Sequence, residues 1–227
     1  MSKILSICIP VFNKFNFTKS CLKDLEKLPK DHEIIVVDNG STDETHSFLS
    51  NSKEITYIRK DSNAGFASAC NIGYNVSIAP NVLFLNNDIR VTDNYSNWTK
   101  PLIDLCNNGL VGPTMGLLDK DFNFVKEANN VLLGNSYMSG WCLASSKEIW
   151  NKLLIKDTNK LFSEEFFCYF EDTDLSFRAF ENNIPFIIQE IPVVHFGKVS
   201  SSQLNTRQLY LNSRSIFLKK WAKLLKK

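Results

Sequence analysis

The chain has 227 residues, 44% of them hydrophobic, and its 26 basic and 24 acidic side chains leave a formal charge of +2. That length and apolar content can bury one sizeable core, so a single large α/β domain is expected. A balance this close to neutrality excludes the broad basic face with which proteins grip nucleic acid, so any bound anion must be held locally.

Ile4 to Ile9 is an apolar run ended by Pro10, and after Asn16 the residues Cys21, Leu22, Leu25 and Leu28 recur at helical spacing, which predicts strand, loop and helix. Ile34 to Val37 predicts a fully buried strand. Ser41 with Glu44 three residues on predicts a capping-box start for a helix through Leu49. Thr56 to Ile58 is a third strand, Gly65 to Tyr74 a third helix, and Val82 to Leu85 a fourth strand running into Asn86-Asn87-Asp88. Continuous apolar strands alternating with helices imply a mainly parallel sheet covered on both faces, and ligands of such sheets bind at the carboxyl ends of the strands. Asn13, Asp38-Asn39, Asn63 and Asp88 each follow one of the four strands, although polar loops are also the ordinary filling of strand ends.

The second half is less regular. Gly, Pro and Asn punctuate Cys106 to Asn135, Gly140-Trp141-Cys142-Leu143 follows, and a helix starts at Ser145 or Ser146. Phe166, Phe167, Tyr169 and Phe170 then precede Glu171, Asp172 and Asp174 at the head of an amphipathic helical pattern. Acids crowded against rings have their ionised forms disfavoured, which suits a general base or a cation site, whereas acids in a first helical turn are also good electrostatics by themselves. Ile187-Ile188 and Val193-Val194 are short strands, the second ending at His195. At the end Phe217, Trp221, Leu224 and Leu225 share a helical face, with Lys219, Lys220, Lys223, Lys226 and Lys227 on the remainder. Such a basic amphipathic helix can lie on an anionic membrane or pack its apolar stripe on its own domain.

The six cysteines, Cys8, Cys21, Cys70, Cys106, Cys142 and Cys168, form no C-x-x-C pair and lie mostly in apolar stretches, as expected in a reducing compartment. With no secretion signal and no run of eighteen apolar residues, a cytoplasmic protein is expected, in which the sequons at Asn16, Asn39, Asn75, Asn94 and Asn97 carry little meaning. No G-x-G-x-x-G or G-x-x-x-x-G-K-S/T occurs, so Gly65 serves a backbone turn and not a phosphate loop.

Several stretches resemble the glycosyltransferase family 2 enzymes of GT-A fold: Ile9-Pro10-Val11-Phe12-Asn13, Val36-Val37-Asp38-Asn39-Gly40-Ser41-Thr42-Asp43, Asn63-Ala64-Gly65-Phe66-Ala67 with Asn71, Leu85-Asn86-Asn87-Asp88, and Phe170-Glu171-Asp172-Thr173-Asp174-Leu175, followed by His195. They occur in family order over nearly the whole chain and look most like the bacterial rhamnosyl- and galactofuranosyltransferase branch. The resemblance implies a single GT-A, Rossmann-like domain over 1–208, with a nucleotide-binding part to about 90, an acceptor-side part over about 91–208 and the basic helix over 209–227. It implies that Pro10, Phe12, Asn13, Asp38 and Asn63 hold the nucleotide of a UDP- or dTDP-sugar. Asp88 would bind a divalent metal as the last residue of the family's D-x-D element, whose first acid is here Asn86, left to hydrogen-bond ribose or water. His195 matches a late histidine that completes the metal shell, and imidazole beside carboxylate favours manganese over magnesium. Asp172 matches the catalytic base of an inverting transfer, with Glu171 and Trp141 as sugar or acceptor contacts; Trp141 could equally be core, His195 a strand-end histidine, and Asp88 a turn residue. The implied partners are a nucleotide-sugar donor and a glycan or lipid-linked glycan acceptor in bacterial surface polysaccharide synthesis, at the inner face of the cytoplasmic membrane. The alternatives are a binding module with decayed catalysis, made conceivable by Asn86, and a sugar nucleotidyltransferase, whose glycine-rich basic opening loop the chain lacks.

Overall fold

The run LSICIPV forms β1 (Leu5–Val11), nearly every residue of which is buried, because neighbouring strands flank it and helices cover both faces. Residues alternate between those faces as a strand requires. Leu5, Ile7, Ile9 and Val11 join one cluster with Leu22, Leu25, Trp98 and Leu102, while Cys8 joins the opposite one with Ala69, Tyr74, Trp150 and Leu175. The computed structural model describes residues 2–92, 96–131, 135–197 and 205–222.

From β1 the chain runs through α1 (Phe15–Leu25), β2 (His32–Asp38), α2 (Thr45–Leu49), β3 (Thr56–Arg59), α3 (Phe66–Val76) and β4 (Asn81–Leu85). These four strands lie parallel in the spatial order β4-β1-β2-β3, the sheet anticipated from their apolar runs. The second half adds β5 (Ile89–Val91), α4 (Lys100–Leu105), β6 (Leu110–Gly112), β7 (Met115–Leu118), β8 (Phe124–Ala128), β9 (Asn135–Met138), β10 (Cys142–Ser146), α5 (Lys147–Lys152), α6 (Glu171–Glu181), β11 (Phe186–Ile188), β12 (Val193–His195) and α7 (Thr206–Trp221). β10 enters the sheet antiparallel between β4 and β6, and β11 closes it parallel to β6, giving a mainly parallel seven-stranded sheet. β12 pairs antiparallel with β5, and β8-β7-β9 form a small antiparallel sheet inside the stretch expected to be irregular.

One local expectation fails. α2 begins at Thr45 and not behind a capping box at Ser41, because Ser41 is already engaged twice. Its N–H donates to Asp38 Oδ1 at 2.8 Å and its Oγ accepts from the Asn13 N–H at 2.7 Å, so the loop after β2 is tied to the loop after β1 before any helix starts. Ser146, by contrast, caps α5 through the Ile149 N–H.

α7 lays Phe217 and Trp221 into an aromatic cluster with Phe122, Phe166 and Phe170, so this part of the stripe packs on its own domain. Leu224, Leu225, Lys223, Lys226 and Lys227 lie outside the described residues, as does Asn94. Among the described residues no helix is long and apolar enough to cross a membrane.

Candidate active site

The loops at the carboxyl ends of the parallel strands are braced against one another. Asn13 and Lys14 both take positive φ after β1, and Asn13 Oδ1 accepts from the Thr42 N–H at 2.8 Å, while Asp43 accepts from the Phe15 N–H at 3.0 Å. Asp38, fully buried, accepts from Arg59 at 2.5 Å, from the Tyr57 hydroxyl at 3.0 Å and from the Ser41 N–H. Its carboxylate thus ties the loop after β2 to β3. Asn63 Oδ1 accepts from the Gly65 N–H at 2.9 Å, and Gly65 itself sits at φ 88° with Phe167 O where a Cβ would go. Any other residue there would collide with the backbone leading to α6, so this glycine permits both the turn and the close approach. Pro10 and Phe12 stand half-buried at the end of β1.

After β4 the chain carries Asn86, Asn87 and Asp88 into β5. Asn87 turns inward to Thr18 Oγ1 at 2.9 Å, whereas Asp88 Oδ1 lies 3.1 Å from His195 Nε2 and Asn86 Nδ2 lies 3.3 Å from the same nitrogen. The β5–β12 pairing brings this about, since it sets His195 opposite Ile89, next to Asp88 in sequence. The Trp141 ring stacks on His195 with centroids 4.7 Å apart and planes 12° from parallel. That face of the indole is therefore closed to a sugar, and its N–H is directed to Thr114 Oγ1 at 2.8 Å and Glu127 Oε1 at 3.1 Å.

One residue earlier the Gly140 N–H donates to Asp172 Oδ2 at 3.0 Å, and a Cβ on Gly140 would press on Asp172 Cβ at 3.0 Å. The segment 140–141 thus joins the two acidic groups: Asp172 on one side, His195 with Asp88 on the other, and Asn86 held by its N–H to Trp141 O at 2.8 Å.

At the head of α6, Phe170 is in the left-handed region at φ 68°, which turns the chain sharply into the helix and carries Glu171 inward. Burial raises the pKa of Glu171, and the neighbouring Asp172 charge raises it further. Glu171 Oε2 has no hydrogen-bond partner among the described residues. Asp172 is raised too, chiefly by burial, against the opposing pull of the Gly140 and Thr173 N–H groups. The two acids form a coupled pair that holds a proton above the ordinary carboxylate range. Asp174, two residues on, differs: fully buried, it accepts from Arg178 at 3.1 Å, Lys220 at 2.8 Å and the Trp221 indole at 3.0 Å, and so fastens α7 to α6.

Asp88 and His195 suit a divalent cation. Their ligand atoms meet in one place, a carboxylate and an imidazole can both ligate a divalent cation, and rotation of the Asn86 amide would add an oxygen. Among the described residues no third His, Cys, Asp or Glu joins them, so the remaining ligands would have to come from diphosphate and water. Thr114, just before β7, and Glu127, on β8, were not anticipated; β7 is only four residues long and β8 is largely exposed, so neither signalled a site.

The family model described as Glycosyl transferase family 2 matches residues 6–153. An uncharacterized glycosyltransferase of Rickettsia prowazekii (strain Madrid E) is 27% identical across 98% of this chain and 74% of its own length. Glycosyltransferase GlyG of Streptococcus pneumoniae serotype 4 is 26% identical across 41% of this chain and 33% of its own. Among solved structures, mannosyltransferase PcManGT from Pyrobaculum calidifontis in complex with GDP-Man and Mn2+ aligns with TM-score 0.58 and 15% identity over 83% of this chain and 55% of that one. S. aureus TarS 1–349 in complex with UDP-GlcNAc aligns with TM-score 0.61 and 20% identity over 88% and 61%. The fold is therefore GT-A, and the chain spans a little over half the length of these solved structures.

Proposed function

Because the chain belongs to glycosyl transferase family 2, we propose that it moves a sugar, with inversion, from a nucleotide diphosphate sugar to a hydroxyl of a glycan acceptor in bacterial surface polysaccharide synthesis. The observation that carries this reading is the path of contacts Asp172–Gly140–Trp141–His195–Asp88, which joins a carboxylate of raised proton affinity and a carboxylate–imidazole pair through two consecutive residues.

In this reading Asp172 takes the proton of the acceptor hydroxyl as its oxygen attacks the anomeric carbon, and the diphosphate leaves from the opposite face. The Gly140 and Thr173 N–H groups fix the carboxylate for that transfer. Glu171, whose own proton affinity is raised by burial and by the Asp172 charge, stands beside this base as the sugar or acceptor contact. Asp88 and His195 would hold the divalent cation, manganese before magnesium, which neutralises charge on the departing diphosphate. Pro10, Phe12, Asn13 and Asn63 line the nucleotide side, and Asp38 supports it from behind through Arg59 and Tyr57. The nucleotide part ends near residue 90, and the acceptor part follows to about 208. The buried Phe217 and Trp221 favour α7 as a packing element over a membrane anchor, although its lysines suit a nearby anionic surface.

The test is a screen of UDP-, dTDP- and GDP-sugars for release of nucleotide diphosphate with manganese present, with and without chelator, followed by NMR of the product anomer. Metal-dependent release with inverted configuration is expected. Retained configuration removes Asp172 from its role, and tight nucleotide-sugar binding with no turnover on any glycan acceptor favours the decayed binding module.

A further inference from the structure

The small sheet β8-β7-β9 holds an acid that the scheme above does not use. Glu127 stands opposite Gly116, and Gly116 stands opposite Tyr137, so the three form one row across the sheet. Side chains directly opposed in a sheet share a face. The Tyr137 ring lies over the central glycine, where a Cβ would overlap it, so Gly116 makes room for the ring beside Glu127. That face meets the head of α6, since Tyr137 packs with Phe166 and Phe170, the residues that lead into the helix.

Glu127 is fixed by one oxygen only. Oε1 accepts from Thr114 Oγ1 at 2.6 Å and from the Trp141 indole at 3.1 Å. Oε2 makes no hydrogen bond among the described residues, on a side chain that is exposed. The Trp141 that steadies Oε1 is the neighbour of Gly140, whose N–H holds Asp172. A carboxylate clamped at one oxygen and open at the other is a preorganised acceptor for a hydroxyl, with little side-chain entropy left to lose on binding. A solitary exposed glutamate in a strand would need neither the threonine nor the indole.

We propose that Glu127 is a specificity-determining residue whose open Oε2 binds a second hydroxyl of the acceptor sugar, beside the hydroxyl that reacts at Asp172. The inference rests on the glycosyl-transfer reading and deepens it by assigning the acceptor as a sugar bearing at least two free hydroxyls, one read by Glu127 and one activated. Thr114 is a positioning residue in this arrangement, since it acts only by fixing Oε1.

The experiment takes the donor found in the nucleotide-sugar screen and measures transfer to a panel of methyl pyranosides and furanosides, each with its monodeoxy analogues, for the wild type and for Glu127→Gln, Glu127→Ala and Thr114→Val. Acceptor KM is expected to rise about 10- to 100-fold in Glu127→Ala, the range for a lost hydrogen bond to a charged group. Donor KM and kcat at saturating acceptor should move far less, with Glu127→Gln and Thr114→Val falling between. One monodeoxy analogue should already be poor for the wild type and lose nothing further in Glu127→Ala. A parallel rise in donor KM or in the manganese requirement overturns the proposal, because it identifies Glu127 as a mere buttress of Trp141 and His195. Wild-type donor hydrolysis with no transfer to any glycoside of the panel also overturns it. If the wild type neither hydrolyses nor binds any nucleotide sugar, the underlying glycosyl-transfer reading has failed first.

Discussion

Asp38 and Glu171 are both buried acids, one at the end of β2 and the other at the head of α6. Around Asp38 stand an arginine, a tyrosine hydroxyl and a backbone N–H, while Glu171 keeps an oxygen with no partner beside a second acid. The strand-end acid has a cation and donors at both oxygens, whereas the α6 head leaves one acid oxygen without a partner among the described residues. A buried carboxylate bonded at both oxygens and paired with a cation holds loops together, and its removal should be felt in stability. A buried carboxylate without partners has its proton affinity raised, which costs stability and readies it for proton transfer. A related contrast occurs within α6, where Asp172 accepts only from uncharged donors while Asp174, less than one helical turn on, faces two cations and an indole N–H.

The sharpest test of that division is Asp172→Asn, expected to reduce turnover by about 10²–10⁴-fold, the usual worth of a general base, while the melting temperature holds or rises. A comparable loss of stability would assign Asp172 to structure. Asp174→Ala should behave in the opposite way. It leaves Arg178 and Lys220 without their carboxylate and frees the Trp221 indole, and breaking a buried charge pair costs about 3–5 kcal/mol, readable as a lower midpoint in urea unfolding. An unchanged midpoint would mean that α7 is not fastened to α6 through this acid.

Glu171→Gln tests the sign. An acid whose folded pKa lies above its unfolded one gives the folded state an advantage that is fully present below the unfolded pKa and is lost as pH rises through the folded one. The wild type should therefore lose stability on going from mildly acidic to alkaline solution through this group. Glu171→Gln, which cannot ionise, should be the more stable protein on the alkaline side by roughly 1–3 kcal/mol, the cost of a buried group left unpaired. Thermal scans of both proteins across that range check it, and a gain that grows toward acid contradicts the raised pKa. Since a base must be deprotonated, the raised Asp172 pKa also shifts the acid limb of the activity profile above the ordinary carboxylate range.

The first half of the fold was legible because β1, β2 and β4 are buried on both faces and so appear as unbroken apolar runs. Asp88 and His195 could be named but not joined, since the strand pairing that unites them links residues 107 apart. The small sheet stayed hidden because its strands alternate poorly and leave Phe124 and Val125 exposed, a pattern that periodicity assigns to loop. With it went Thr114 and Glu127, whose part is visible only once Trp141 points its N–H at them. Ser41 misled because an Asx-type turn on Asp38 and a capping box compete for the same residue, and the turn prevailed where a neighbouring loop supplied a donor. Which of Glu171, Asp172 and Asp174 was structural depended on Lys220 and Trp221 on α7, and no local pattern reports that.

The smallest effect belongs to charge that is neither buried nor strained. Lys100 and Asp104 form an ion pair at 2.7 Å one turn apart on α4, with both side chains more than half exposed, 58% and 56%. Solvent screens such a pair, and holding two long side chains in one geometry offsets most of the attraction. Lys100→Ala should cost about 0.3–0.5 kcal/mol, fading further in high salt, against the several kcal/mol expected at Asp174. Parallel urea titrations at low and high ionic strength measure the contrast. A salt-insensitive loss at Lys100 as large as that at Asp174 would show that charge alone, and not burial with complete or incomplete pairing, decides which acids this fold depends on.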